Sequence, residues 1–82
     1  MIAVLFFGRI ADLAGHRRLD LAAAAGGDSL FALRDRVLAE AIAGGRVDTT
    51  AVRMSLNRIE RRDDAPVNDG DEVAFFSVFS GG

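Results

Sequence analysis

Cysteine is absent from the 82 residues. That excludes disulfides, thiolate nucleophiles and sulfur-ligated metal sites together. The single histidine, His16, stands beside Arg17 and Arg18. With no second histidine and no cysteine, a transition-metal site is not expected. No Gly-x-Ser-x-Gly turn supports a Ser-His-Asp arrangement, so His16 is expected as a solvated loop residue. No apolar run approaches the roughly 20 residues of a membrane span. The start, Met1 to Arg9, lacks a preceding positive region and a cleavage site, and is expected as a mature cytoplasmic amino terminus. A net charge of −2 and a pI near 5.2 give no electrostatic footprint for nucleic acid or an anionic membrane. Internal repeats, linkers and low-complexity tracts are also missing.

What remains is one small domain, half of it apolar, large enough for a single core. Ile2 to Phe7 is an apolar run bounded by Gly8, the length of a strand buried on both faces. Arg9 to Ala14, with Ile10 and Leu13 at helical spacing, is too short to stand alone and predicts a turn or a single helical turn ended by Gly15. Arg17 to Ala22 alternates Leu19 and Leu21 with Arg18 and Asp20, predicting a second strand in a wide hairpin with the first. Ala22 to Gly27 is expected as loop. The main helix is predicted over 29–43, capped by Asp28 or Ser29 and closed by Gly44-Gly45. Its apolar stripe is Leu30, Leu33, Val37 and Ala41, widened by Leu38. Val52, Met54 and Leu56 alternate with Arg53 and Ser55 as a third strand. Asn57-Arg58 is a turn, Ile59 to Arg62 a short edge strand guarded by charge, and Glu60 to Asp64 a solvated charge run. Pro66 and Asn68 to Asp71 are turn signals leading into the final strand.

One helix on a mixed sheet of four to five strands is an α+β architecture. The first and last strands are the most apolar, so they are expected as central neighbours, and the helix-containing crossover between the paired outer segments fits them running parallel. A single main helix covers only one face. Ile2, Val4, Phe6, Val73 and Phe75 are assigned to the helix side. Leu5, Phe7, Phe76 and Val78 fall on the open side, with Phe79 beyond the sheet edge, as an apolar patch suited to a protein partner.

The last strand delivers Ser80-Gly81-Gly82 to the carboxylate. Glycines lack side chains and can be threaded into a narrow slot. The last four residues reach roughly 13 Å when extended. An ionised α-carboxylate is a poor electrophile, so it becomes useful only once a partner activates it, for example as an acyl-adenylate. The terminus itself is therefore the expected functional group. Residues 1–82 form a single domain, with 79–82 as a protruding tail.

The chain resembles the small subunit of molybdopterin synthase, a ubiquitin-like β-grasp sulfur carrier, over essentially its full length. The resemblance rests on Met1-Ile2-x-Val4-Leu5-Phe6-Phe7, Leu13-x-Gly15, Ala32-Leu33-Arg34, Asn57 and Pro66. Above all it rests on Asp69 to Phe76 together with Gly81-Gly82. It implies adenylation of Gly82 by a ubiquitin-activating-like adenylyltransferase that consumes ATP, then thiocarboxylate formation from a sulfur donor system. It also implies insertion of Ser80, Gly81 and Gly82 into a large subunit, with sulfur delivered to precursor Z in a heterotetramer. Gly82 is then the reacting residue, catalytic side chains belong to the large subunit, and no cofactor is bound by this chain. Phe7 and Phe76 match family positions that contact the partner. Ser77-Val78 stand where the family often has prolines that stiffen the exit. The alternatives are a carrier for thiazole or another sulfur pathway, a ubiquitin-like modifier joined to lysines, and a binding module whose tail is incidental.

Overall fold

A computed structural model describes residues 1–77. Strand β1 (Ile2–Phe6) leads into helix α1 (Gly8–Ala14), strand β2 (Arg18–Leu21) and a two-residue strand β3 (Asp28–Ser29). Helices α2 (Leu30–Val37) and α3 (Ala39–Ala43) follow, then a 3-10 turn at Thr49–Ala51. Strands β4 (Val52–Leu56), β5 (Ile59–Arg61), β6 (Pro66–Val67) and β7 (Glu72–Ser77) complete the described chain. Five strands form one mixed sheet in the order β2-β1-β7-β4-β5. β1 and β7 are parallel and central, with Val4 beside Val73 and Phe6 beside Phe75. β2 and β4 flank them antiparallel.

Alternation along each strand decides the core. Ile2, Val4, Phe6, Val73 and Phe75 share the helix-facing side and are at most 3% exposed. Leu30, Leu33, Leu38 and Ile10 close over them from the helices.

Three local outcomes differ from the pattern in the sequence. Arg9 to Ala14 belongs to a seven-residue α-helix rather than one turn, because Ile10 is anchored in the core at 2% exposure and packing supplies what helix length does not. Gly15 ends it in the left-handed conformation, φ 77°. The main helix is not continuous. At Leu38 the backbone leaves the α region (φ −108°, ψ 16°), and the bend leaves Leu38 and Ala41 each only 1% exposed. Finally, β3 and β6 form a separate two-stranded ribbon, too short to show in any periodicity.

That ribbon brings distant residues to the start of α2, where the orphan N–H groups of the first turn need partners. The Leu30 N–H donates to the Ala65 carbonyl (3.0 Å). The Phe31 N–H donates to Asp64 Oδ1 (2.9 Å), and the Ala32 N–H to Ser29 Oγ (3.1 Å). The Phe31 N–H is also the main reason the Asp64 carboxyl is held below its ordinary range. Its folded-state value lies below the unfolded one. The resulting stability is therefore present above the ordinary carboxylate range and lost as pH falls through the depressed folded value. Asp64→Ala is expected to cost about 1 kcal/mol at neutral pH. Asp64→Asn should flatten the loss of stability below about pH 4. Urea unfolding between pH 7 and 2 reads both effects.

The β4–β5 turn carries two positive φ values, Asn57 at 51° and Arg58 at 70°, which suit the right-handed twist of a two-residue hairpin. Asn57 also ties this turn to β7: its Oδ1 accepts the Glu72 N–H (2.9 Å) and its Nδ2 donates to Asp71 Oδ1 (3.1 Å). Arg58, 88% exposed at its side chain, gains little there. Arg58→Gly is expected to stabilise the fold by about 0.5–1 kcal/mol through relief of backbone strain. A higher urea midpoint with an unchanged slope would show it.

Candidate functional site

β7 is the strand on which the site is built. It lies between β1 and β4, so its axis is held by hydrogen bonds on both sides and its two faces are fixed. Val73 and Phe75 point into the core. Glu72, Ala74 and Phe76 take the opposite, open side by alternation.

On that face the register sets Leu5 beside Ala74 and Phe76 beside Arg53. Leu5 and Phe76 are half-buried, and Ala74 is 7% exposed because its neighbours crowd a small side chain. Phe7 follows β1 in extended backbone (φ −123°, ψ 148°), and its N–H donates to the Phe75 carbonyl (3.1 Å). The parallel register, continued by one residue, sets Phe7 beside Phe76. Phe7 is 53% exposed, an unusual cost for a phenylalanine in water and the clearest apolar projection at this end of the sheet. Leu5, Phe7 and Phe76 thus share one face and one end. Val78, Phe79, Ser80, Gly81 and Gly82, the other residues assigned to docking, threading and reaction, lie outside the described residues.

Residues that the sequence pattern did not single out complete the open face. Arg53 pairs with Glu60 across β4 and β5, and Arg18 pairs with Asp20 (3.0 Å) on β2. Ion pairs of both signs therefore flank the apolar strip on two sides, as at the polar rim of an interface. The signal is present in the alternation of β2 and β4, which sets Arg18, Asp20 and Arg53 on the face opposite the core residues.

The chemistry offered by side chains is sparse. His16 is exposed at the turn between α1 and β2. Among the described residues, no group of three or more His, Asp or Glu side chains could hold a metal ion. No helix among them is long and apolar enough to cross a membrane. Among the described residues, the arrangement presents an apolar face on a centrally held strand.

Comparison with known proteins accords with that picture. Among solved structures, the crystal structure of SAMP1 from Haloferax volcanii aligns with a TM-score of 0.66 at 23% sequence identity, covering 99% of this chain and 98% of that one. The likeness establishes the ubiquitin-like β-grasp fold, in which a mixed five-stranded sheet packs against a helix. No curated protein matches significantly. The ThiS family model matches residues 4–82, a span that begins within β1 and runs through Gly81-Gly82. The chain belongs to the ThiS family of ubiquitin-like sulfur carriers.

Proposed function

We propose that this chain is the sulfur-carrying small subunit of a molybdopterin synthase. The observation that carries the proposal is the joining of two features on one strand. β7 holds Phe76 on the open face beside Phe7 and Leu5, and it continues in sequence to the Gly81-Gly82 end that the family match includes. Docking and delivery are thereby coupled: a partner that seats the face also receives the tail.

The reaction proceeds on Gly82. Its carboxylate attacks the α-phosphate of ATP in the activating enzyme, releasing pyrophosphate and leaving an acyl-adenylate. A sulfide equivalent then adds to the carbonyl and expels AMP, giving a thiocarboxylate. The large subunit receives that end and transfers the sulfur to precursor Z, and water restores the carboxylate. The domain supplies no catalytic side chain. It binds, positions and presents, so Leu5, Phe7, Phe76, Val78 and Phe79 serve docking, while Ser80 and Gly81 serve threading.

Intact-mass measurement after incubation with ATP, the adenylyltransferase and a sulfur donor should show one oxygen of Gly82 replaced by sulfur. Removal of Gly81 and Gly82 should abolish the change while leaving the fold intact. If the wild-type mass never changes, the proposal fails. Rescue of molybdoenzyme activity in a deficient strain separates this assignment from a carrier for thiazole or another sulfur pathway. Stable conjugates to lysines of other proteins would instead mark a modifier.

A further inference from the structure

All ten basic residues are arginine; the chain has no lysine, as it has no cysteine. For a protein whose end is activated, both omissions bear on the same reaction. Acyl-adenylates and thioesters are consumed by neutral amines and by thiolates. An arginine guanidinium, with a pKa above about 12, stays protonated and does not attack. Serine and threonine hydroxyls are weak nucleophiles without an adjacent base. Acylation of His16 would return the hydrolysis product and leave no lasting link.

One amine remains, the α-amine of Met1. It is ion-paired with Asp69, and the Gly70 N–H donates to the Met1 carbonyl (2.9 Å). Because β1 and β7 are parallel with Ala3 beside Glu72, Met1 sits at the end of the sheet opposite Ser77. At about 3.3 Å per residue, that separation is roughly 23 Å along the strands. The five residues beyond Ser77 span at most about 18 Å. The carboxy end of one copy therefore cannot meet its own amine.

We infer that the chain is an acyl donor that cannot be its own acceptor: once Gly82 is activated it does not cyclise, and it reacts only with acceptors on another molecule. The inference rests on Gly82 being the activated group in the proposed function. It specifies the acceptor class as a thiol, sulfide or amine carried by another molecule.

The test uses the full-length chain released from an intein as a Gly82 thioester of 2-mercaptoethanesulfonate. Held dilute at pH 8, the wild type should give only thioester and hydrolysis product by intact mass, with no cyclic species. Added ethylenediamine should be acylated readily. Arg53→Lys supplies the missing nucleophile one strand from the tail, since Arg53 pairs with Phe76 and neighbouring strands lie about 4.8 Å apart. In that variant the Lys ε-nitrogen forms an amide with the Gly82 carbonyl and the thiol leaves carrying the proton. Cyclic product should appear at least about tenfold faster than any in the wild type, as intramolecular attack allows.

Cyclic wild-type product at the rate of Arg53→Lys would overturn the inference. So would an Arg53→Lys thioester that acylates ethylenediamine yet never cyclises, because the reach argument would then be wrong. Because the thioester is installed chemically, failure of an adenylyltransferase to load Gly82 would defeat the proposed function without altering these outcomes.

Discussion

Replacing Phe75 by alanine should remove a large share of the stability of this domain. Phe75 is fully buried, paired with Phe6 on β1 and Met54 on β4. Its ring lies 6.0 Å from that of Phe6 at an interplanar angle of 27°, within the range where aromatic pairs attract beyond their buried area. Truncation forfeits the transfer of the ring from water and leaves a cavity at the centre of the sheet, together about 3–5 kcal/mol. A domain of this size has about 4–12 kcal/mol in total. The expected fall in Tm is about 15–30 °C, readable by circular dichroism. Phe75→Leu, which keeps most of the volume, should cost less than about half as much. Equal losses for the two variants would show that the ring is not the centre of packing.

Phe76, the next residue, should behave in the opposite way. Phe76→Asp leaves the core untouched and sets a carboxylate beside Arg53, so the change in stability should stay within about 1 kcal/mol. Partner binding should collapse. A buried aromatic anchor in an interface contributes about 2–4 kcal/mol, which is roughly 30- to 1,000-fold in Kd. Burying an unpaired carboxylate against an apolar surface adds to that loss. Calorimetric titration with the large subunit of the proposed molybdopterin synthase is the direct measurement. Unchanged affinity in a folded Phe76→Asp variant would remove the open face from the docking role. The pair of substitutions divides one strand into a face that folds and a face that binds.

The sequence made that division legible because burial follows strand parity. Ile2, Val4 and Phe6 against Leu5 and Phe7 is a period-two argument; the central pairing of β1 with β7 followed from both being the most apolar runs, and its parallel direction from the helix-containing crossover between them. Local readings of turns also succeeded where one residue type dictates geometry, as at Gly15 and Asn57-Arg58. Tertiary effects were less legible. α1 is a full helix because Ile10 is buried, which its short pattern could not show. The bend at Leu38 has no proline or glycine to announce it. Asp64 caps α2 across 33 positions, and no window of neighbouring residues contains that contact. In the candidate site, Leu5, Phe7 and Phe76 could be gathered from alternation and resemblance. Which ion pairs come to lie beside them depends on strand order, a property of topology.

The placement of β7 between β1 and β4 has a mechanical consequence. A partner that draws in the residues beyond Ser77 pulls along the strand axis. Load applied that way shears both ladders at once, so their hydrogen bonds resist together and do not open one after another from an edge. An outer strand such as β5 is held by one ladder only, so the same pull would meet less resistance. In the proposed function the body of the protein then works as a stop, which sets how far its end can enter a partner's active site.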